Sequence, residues 1–405
     1  MNSEAKEQGL LDGMRILDLA DEKASFCTKI LADLGAHVVK IEKPGGDESR
    51  RMGPFWENAS HSEKSLSFFY NNTNKLGITL DLDRERGREI FLELVKRYDI
   101  IVETFPPGYL SSLKLDFDFL KTVNPRLILV SVTGFGQKGP RRAYKSCDLV
   151  ASAYGGQMYV TGSPTSPPLK ACGEQSYYLA SLFAAIGILL AIQKRSQTGS
   201  GEHIDISLQE AVTATLEHVM IQFFSEAIIA GRQGSLHWNH AFKIFTCKDG
   251  FIHLTLFQNW ETLVEWLDNE GMAEDLKDKK WNDEEYRRQH IEQVIEVVER
   301  WTKTHRVEEL FELGQLMHFP WAPVLSPKDI LNSAQLNARK FFVPVHHREN
   351  DTDLSYPQLP FKFSSRFIPR KKRAPLPGRD NAKIYKGELG FSNRDIQQLL
   401  QLNII

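Results

Sequence analysis

The sequence has few cysteines and lacks the common motifs of hydrolase, metal and nucleotide sites. Its four cysteines, among 405 residues, are neither spaced as CxxC nor placed with histidines at zinc-finger spacing. They are typical of reduced thiols in a cytoplasmic protein, and each fits a small core residue better than a nucleophile. HExxH, GxSxG and the Walker loop are absent, which weakens the metalloprotease, serine hydrolase and NTPase interpretations. We therefore expect no metal site.

Strong net charge and long apolar runs are also missing. The formal net charge is −2, so nothing in the whole-chain balance indicates a nucleic-acid or membrane partner. The longest apolar run, residues 179–192, is too short to span a bilayer and predicts a buried helix. Residues 1–13 are acidic and have no apolar centre, unlike a secretory signal. These features predict a cytoplasmic location.

What the chain does contain is an alternation of strand and helix patterns. MRILDLA (14–20) and HVVKIEK (37–43) predict buried strands, and SFCTKILADLGA between them has helical spacing. The turn after the first strand, ADEKASF, lacks the GxGxxG fingerprint of dinucleotide sites. Lys43 follows the second strand, where positive charge suits a phosphorylated nucleotide better than a bare ribose. A solvated lysine at a strand end is the alternative interpretation.

The alternation continues and predicts a doubly wound α/β fold. GITLDLD (77–83), DIIVETF (99–105) and LILVSVTG (127–134) predict further strands, and the last runs into the glycine-rich GFGQKGP. Residues 201–224 predict a strand and then one long helix. A hairpin turning at residues 248–250 and charged helices mark a change of character. Because 405 residues exceed what one core usually supports, we expect two domains.

The predicted organisation has three segments. Residues 1–224 form the first part of a large Rossmann-like domain, residues 225–329 form a small α+β domain, and residues 330–405 return to the large domain.

Several long motifs together give the chain a family resemblance. They are LLDGMRILDLA, LADLGAHVVKIEKPGGDESRRMGPF, NPRLILVSVTGFGQKGP, TGSGEHIDISLQEA and RAPLPGRDN. In this order and spacing they resemble the class III CoA-transferases, the carnitine and formyl-CoA type, from about residue 10 to the end of the chain. The resemblance implies a Rossmann-like large domain, a small middle domain and a dimer whose two chains interlock like links.

The resemblance also implies a reaction. This family moves CoA from an acyl-CoA to a carboxylic acid, and CoA thioesters are substrates rather than prosthetic groups. An aspartate attacks the thioester and forms a mixed anhydride, and later steps pass through an enzyme-bound thioester, so that one transfer is divided into easier steps. No metal or redox cofactor is implied.

The family aspartate has no clear counterpart in this chain. It lies roughly twenty residues before TGxG, here residues 198–201, and counting back reaches Ser176 or Tyr177. A gap would place Glu174 there, although an acid at a helix start is also stabilised by the helix dipole. Asp148 matches another family acid. We therefore expect no catalytic residue in this chain, with Glu174 and Asp148 as fallback candidates.

Some positions for binding CoA are kept and others have changed. The resemblance assigns CoA contacts to Lys43, Leu80, Thr104, Phe105 and Lys145. The family sequence ENFRPG reads ETFPPG here, so that Pro106 replaces an arginine, and a second expected arginine falls at Ser112. The scaffold is kept while part of the phosphate-binding charge is lost.

Three interpretations remain open. The first is a subunit of a heteromeric CoA-transferase, using a donor such as succinyl-CoA and benzylsuccinate as candidate acceptor, whose homologous partner chain carries the aspartate. The second is a homodimeric CoA-transferase or acyl-CoA racemase that uses Glu174 or Asp148; racemases of this family pair a histidine with an aspartate, and Cys147 occupies the histidine position. The third is a non-enzymatic CoA-binding or assembly protein.

Overall fold

The chain divides into two compact units. A computed structural model describes residues 9–58, 63–237, 242–347, 351–364 and 371–405. The first unit comprises residues 1–158, 170–228 and 339–405, and the second comprises residues 159–169 and 229–338. The division predicted from the sequence, with a large domain in residues 1–224 and 330–405 and a small domain in residues 225–329, stays a prediction.

A parallel sheet of six strands forms the centre of the first unit. Its strands are β1 (Arg15–Leu19), β2 (His37–Glu42), β3 (Leu76–Thr79), β4 (Ile100–Glu103), β5 (Ile128–Thr133) and β6 (His203–Ser207). The strand order is β3-β2-β1-β4-β5-β6, so that the winding reverses between β1 and β4. Every pairing in this sheet is parallel, which confirms the expected α/β class.

Helices cover both faces of this sheet, as a buried parallel sheet requires. The α-helices among the described residues of both units are α1 (Ser25–Asp33), α2 (Leu66–Asn71), α3 (Glu85–Val95), α4 (Tyr109–Ser112), α5 (Phe117–Val123), α6 (Asp148–Tyr154), α7 (Gln157–Val160), α8 (Gln175–Thr198), α9 (Leu208–Thr213), α10 (Glu217–Glu226), α11 (Trp260–Asn269), α12 (Glu284–Gln289), α13 (Ile291–Thr302), α14 (Val307–Leu316), α15 (Pro327–Asn332), α16 (Ala334–Ala338) and α17 (Asn393–Gln401). Along β4, Ile100 and Val102 join the core that includes α1 and α8, whereas Ile101 joins the core of α3, α5 and α17. This alternation is the period of two that a strand imposes on its side chains.

The second unit has its own antiparallel sheet and core. Its strands are β7 (Leu236–His237), β8 (Phe242–Thr246), β9 (Phe251–Thr255) and β10 (Ala322–Pro323), in the order β10-β9-β8-β7. β8 and β9 form the predicted hairpin, with Thr246 opposite Phe251. Trp281, Trp301 and Trp321 are almost fully buried in the core of this unit.

Short elements complete the chain. They are the antiparallel pair β11 (Phe342–His347) and β12 (Thr352–Pro357), three 3-10 helices (Glu48–Arg51, Trp56–Asn58 and Lys279–Asn282) and a π-helical turn (Ala382–Lys386). Within the described residues, the C-terminal end packs into the core of the first unit through Leu399, Ile404 and Ile405.

Two helix predictions need correction. The single long helix predicted up to residue 224 is broken between α9 and α10. At the break, the hydroxyl of Thr215 donates to the carbonyl oxygen of Val212, and that of Thr213 to Gln209 and Gly155. Such local bonds compete with helix continuation.

The apolar helix also differs from its prediction. α8 is longer than the apolar run, and by length and composition it is the one described helix that would suffice to cross a membrane. Its inner face packs against α1, β5 and β6, but only 44% of its most apolar stretch is buried in the chain. The run is therefore a core helix on one side and an exposed apolar surface on the other.

Candidate functional site

A cleft of about 850 Å³ opens at the carboxyl ends of the parallel strands. It lies where the strand order reverses, between the turn after β1 and the segment that follows β4. Open α/β sheets bind ligands at this topological switch point. The volume is within the range of small-molecule sites, about 300–1,000 Å³.

The cleft brings together all five residues that the sequence assigns to CoA binding. Its walls include Lys43, Leu80, Thr104, Phe105 and Lys145. They come from three different strand ends and from the loop after the glycine-rich turn, so their convergence is a property of the fold. That they contact CoA stays a prediction.

Hydrogen bonds fix the segment after β4 in this wall. The hydroxyl oxygen of Thr104 accepts from the backbone N–H of Asp21 at 2.9 Å, which ties this segment to the turn after β1. The N–H of Phe105 donates to Glu103 Oε2 at 2.7 Å, and the Phe105 ring packs on Tyr109 with centroids 4.6 Å apart. The Phe105 ring is therefore held in place before any ligand enters.

The arginines expected from the family are replaced by uncharged groups in the structure. Pro106 lines the cleft, and proline cannot bind phosphate as arginine does. Ser112 lies outside the lining residues, and its hydroxyl donates to the carbonyl oxygen of Tyr109 at 2.7 Å. Neither position supplies a positive charge to the cleft.

Most acids of the cleft wall are already paired. Asp21 pairs with Lys23, Glu42 with Arg50, Asp47 with Lys40, and Glu48 with Arg51. Glu22 also lines the cleft, and it makes no ion pair within the described residues. Burial raises the pKa of Glu22, and the neighbouring charge of Asp21 raises it further. An unpaired acid in the wall opposes the binding of an anion.

Asp148, a fallback catalytic candidate, is a buried helix cap in this structure. Its Oδ1 accepts from the N–H of Ser176 at 3.0 Å and from the Ser176 hydroxyl at 2.8 Å. Its Oδ2 lies 2.7 Å from Lys170 Nζ, and its own N–H donates to the hydroxyl oxygen of Tyr177 at 3.0 Å. The carboxylate therefore satisfies the first turn of α8, where the helix dipole favours an anion.

Glu174, the other fallback candidate, precedes α8 and does not cap it. The structure shows no side-chain hydrogen bond from Glu174 to the helix start. Its carboxyl group is about half-buried, and burial followed by the charge of Asp148 raises its pKa. Ser176 and Tyr177, at the counted position of the family aspartate, are buried. Neither fallback candidate is among the residues that line the cleft.

We expect Asp148→Ala to lower the free energy of unfolding by about 1–3 kcal/mol, because it leaves buried donors of Ser176 without an acceptor. Asp148→Asn keeps one acceptor oxygen and should lose less. Urea unfolding of the purified protein compares the two variants. An alanine variant as stable as the asparagine variant would contradict the capping role.

Sequence reasoning missed several residues of the cleft. Arg142 and Tyr144 line it beside Lys145, and Tyr109 lines it beside Phe105. The run PRRAYK after the glycine-rich loop carries a cluster of basic residues next to a candidate ligand loop, and this signal was available in the sequence. Tyr109 gave no such signal, because aromatic residues near a helix start usually pack in a core.

Known proteins resemble this chain along nearly its whole length. The family model of CoA-transferase family III matches residues 11–381. The succinyl-CoA:(R)-benzylsuccinate CoA-transferase subunit BbsE of Thauera aromatica is 32% identical, with 96% of this chain and 97% of that protein covered. The succinyl-CoA–L-malate CoA-transferase beta subunit of Chloroflexus aurantiacus is 30% identical, with 98% of both chains covered.

A solved structure agrees with the fold. The crystal structure of a CAIB/BAIF family protein from Brucella suis matches with a TM-score of 0.84 and 27% identity, covering 94% of this chain and 99% of that chain. The family match covers more than half of the chain, and three of the five motifs that carry the resemblance supply residues that line the cleft. The resemblance read from the sequence is thus confirmed, and this chain belongs to CoA-transferase family III.

Proposed function

We propose that this chain is a subunit of a heteromeric CoA-transferase and that a homologous partner subunit carries the catalytic aspartate. The donor is an acyl-CoA such as succinyl-CoA, and the acceptor is a carboxylic acid, with benzylsuccinate as the first candidate. Two relatives described above are named as subunits of succinyl-CoA transferases, which supports this class of donor and this organisation.

The observation that carries the proposal is that the start of α8 has no carboxylate available to attack a thioester at the expected position. The positions where the family aspartate is expected, roughly twenty residues before TGxG, hold Ser176 and Tyr177, which are not carboxylates. Asp148 is buried, its Oδ1 accepts hydrogen bonds from Ser176, and its Oδ2 forms an ion pair with Lys170. An attacking carboxylate needs a free oxygen within reach of the thioester, and a displacement of about 1 Å can cost roughly 100-fold in rate.

Exposed apolar surface supports the presence of a partner chain. On α8, Ile186 and Leu190 lie four residues apart and expose 53% and 65% of their surface. On α10, Ile221 and Phe224 expose 67% and 76%. Large exposed apolar patches mark interaction sites, and a subunit that packs on these helices would remove them from water.

In this proposal the chain supports the partner's site and supplies no attacking group. The partner's carboxylate attacks the thioester carbonyl, the C–S bond breaks, and the CoA thiolate leaves as a mixed anhydride forms. The thiolate then attacks the enzyme-side carbonyl, which releases the donor acid and leaves an enzyme-bound thioester. The acceptor acid attacks this thioester and forms a second mixed anhydride, and the CoA thiolate attacks the acceptor's carbonyl to give the new acyl-CoA and the free enzyme carboxylate. This chain contributes the buried scaffold at the start of α8 and shields the site from water.

The racemase and homodimer alternatives depend on Glu174 or Asp148 as the reacting group. We expect Glu174→Ala and Asp148→Asn in the assembled enzyme each to keep more than half of the transfer activity. The asparagine variant is chosen because it preserves a hydrogen-bond acceptor for Ser176. Loss of all turnover in Glu174→Ala, with the assembly intact, would favour the homodimer.

An acceptor panel tests the substrate class. The assembled enzyme is given succinyl-CoA with benzylsuccinate, mesaconate, L-malate or oxalate, and the new thioester is followed by liquid chromatography. Transfer to one of these acids supports the proposal, and the preferred acid replaces benzylsuccinate if it differs. No transfer to any acid, with CoA still bound, would favour the non-enzymatic CoA-binding or assembly protein.

A further inference from the structure

At one end of the cleft, the positive charge of Lys43 is already paired with a carboxylate. Lys43 Nζ lies 2.6 Å from Asp83 Oδ2, and the hydroxyl of Tyr109 donates to the other oxygen, Asp83 Oδ1, at 2.7 Å. Both Lys43 and Tyr109 line the cleft. Asp83 therefore joins two walls of the cleft, the end of β2 and the start of α4.

Asp83 is held in this position by its own turn. Its N–H donates to Asp81 Oδ1 at 3.0 Å, and Arg88 donates to its carbonyl oxygen at 3.0 Å. Tyr109, whose hydroxyl donates to Asp83, has its ring packed against Phe105. These contacts make the approach of Asp83 to Lys43 a built feature of the turn and not the meeting of two free side chains.

We propose that Asp83 is a specificity-determining residue that restrains phosphate binding at Lys43. The inference rests on the proposed function, because it assumes that the cleft is the CoA site. A phosphate group that approaches Lys43 must displace Asp83 or lie beside its negative charge, and like charges in contact are unfavourable. The family's basic residue is thus kept as Lys43, but in the folded chain it is paired with Asp83.

The pair is solvent-exposed, with 56% of the Lys43 side chain and 47% of the Asp83 side chain accessible. Water therefore screens the pair, and exposed ion pairs have modest net strength. Removing the negative charge of Asp83 has two effects on a phosphate: it releases Lys43 from its ion pair, and it removes the repulsion by the carboxylate. Both effects favour phosphate binding. We expect a moderate gain in affinity when the charge of Asp83 is removed.

The test compares Asp83→Asn with Glu89→Gln in the assembled enzyme. Glu89 forms an exposed ion pair with Arg86 at 2.6 Å on α3, so its substitution changes the net charge by the same amount away from the cleft. Binding of CoA, adenosine 3′,5′-bisphosphate and adenosine is measured by calorimetry. For this chain's site, Asp83→Asn should tighten the two phosphorylated ligands about fivefold and leave adenosine unchanged.

Three results would overturn the inference. The first is unchanged affinity for the phosphorylated ligands in Asp83→Asn, the second is an equal gain for adenosine, and the third is an equal gain in Glu89→Gln. Transfer activity of the wild-type assembly is measured in parallel. An active assembly with an unchanged Asp83→Asn affinity rejects only the role of Asp83, whereas absent transfer and absent CoA binding reject the proposed function.

Discussion

The chain purified alone is expected to transfer no measurable CoA, and activity should appear when the partner subunit is added. Ser176 and Tyr177 cannot form the acyl anhydride that a carboxylate forms, and Asp148 is engaged as a helix cap. Loss of a catalytic nucleophile commonly removes several orders of magnitude of rate. The partner's aspartate restores the missing step without any change in this chain.

The lone chain should also be poorly soluble. Ile221 and Phe224 on α10 and Leu190 on α8 would remain in contact with water, and such surfaces associate. A partner that binds the folded form stabilises it by mass action.

The measurement is succinyl-CoA-dependent transfer by each purified subunit and by the reconstituted pair, with size-exclusion chromatography to record assembly. The matched control is a partner subunit whose aspartate is changed to asparagine, which should assemble normally and stay inactive. Robust transfer by the single chain would contradict a catalytic aspartate on the partner, and it would favour Glu174 or Asp148 as the reacting group.

The sheet and the cleft could be predicted from the sequence because both depend on local patterns. Apolar runs such as RILDL and ILVSVT predict buried strands, and Leu80 and Phe105 follow from motif order. Parallel strands place their carboxyl ends at one edge, so residues after them converge. The parallel sheet is confirmed, whereas contact of Leu80 and Phe105 with CoA stays a prediction.

The pairings within the site could not be read from the sequence. Lys43 and Asp83 are separated by 40 positions and meet only because β2 and β3 pair in one register. Asp148 and Ser176 are 28 positions apart, and nothing in the sequence indicated that Asp148 caps the start of α8. The break between α9 and α10 depends on Thr213 reaching the carbonyl oxygen of Gly155, a tertiary contact.

We expect the assembled enzyme to bind about one CoA tightly per pair of chains, in the partner's cleft. In this chain Pro106 and Ser112 replace two arginines, and Lys43 is paired with Asp83. Loss of one charge-assisted contact to phosphate costs about 1.5–3 kcal/mol, which is roughly ten- to a hundredfold in affinity.

Calorimetric titration of the assembled enzyme with CoA gives both the stoichiometry and the two affinities. Lys145→Ala in this chain serves as the control, because Lys145 lines this chain's own cleft and should not affect a tight site in the partner. A variant with arginine at both positions, Pro106→Arg with Ser112→Arg, should raise the number of tight sites towards two. Two equal tight sites in the wild-type assembly would refute the asymmetry, since they would require this cleft to bind the CoA phosphates without the arginines that the family uses.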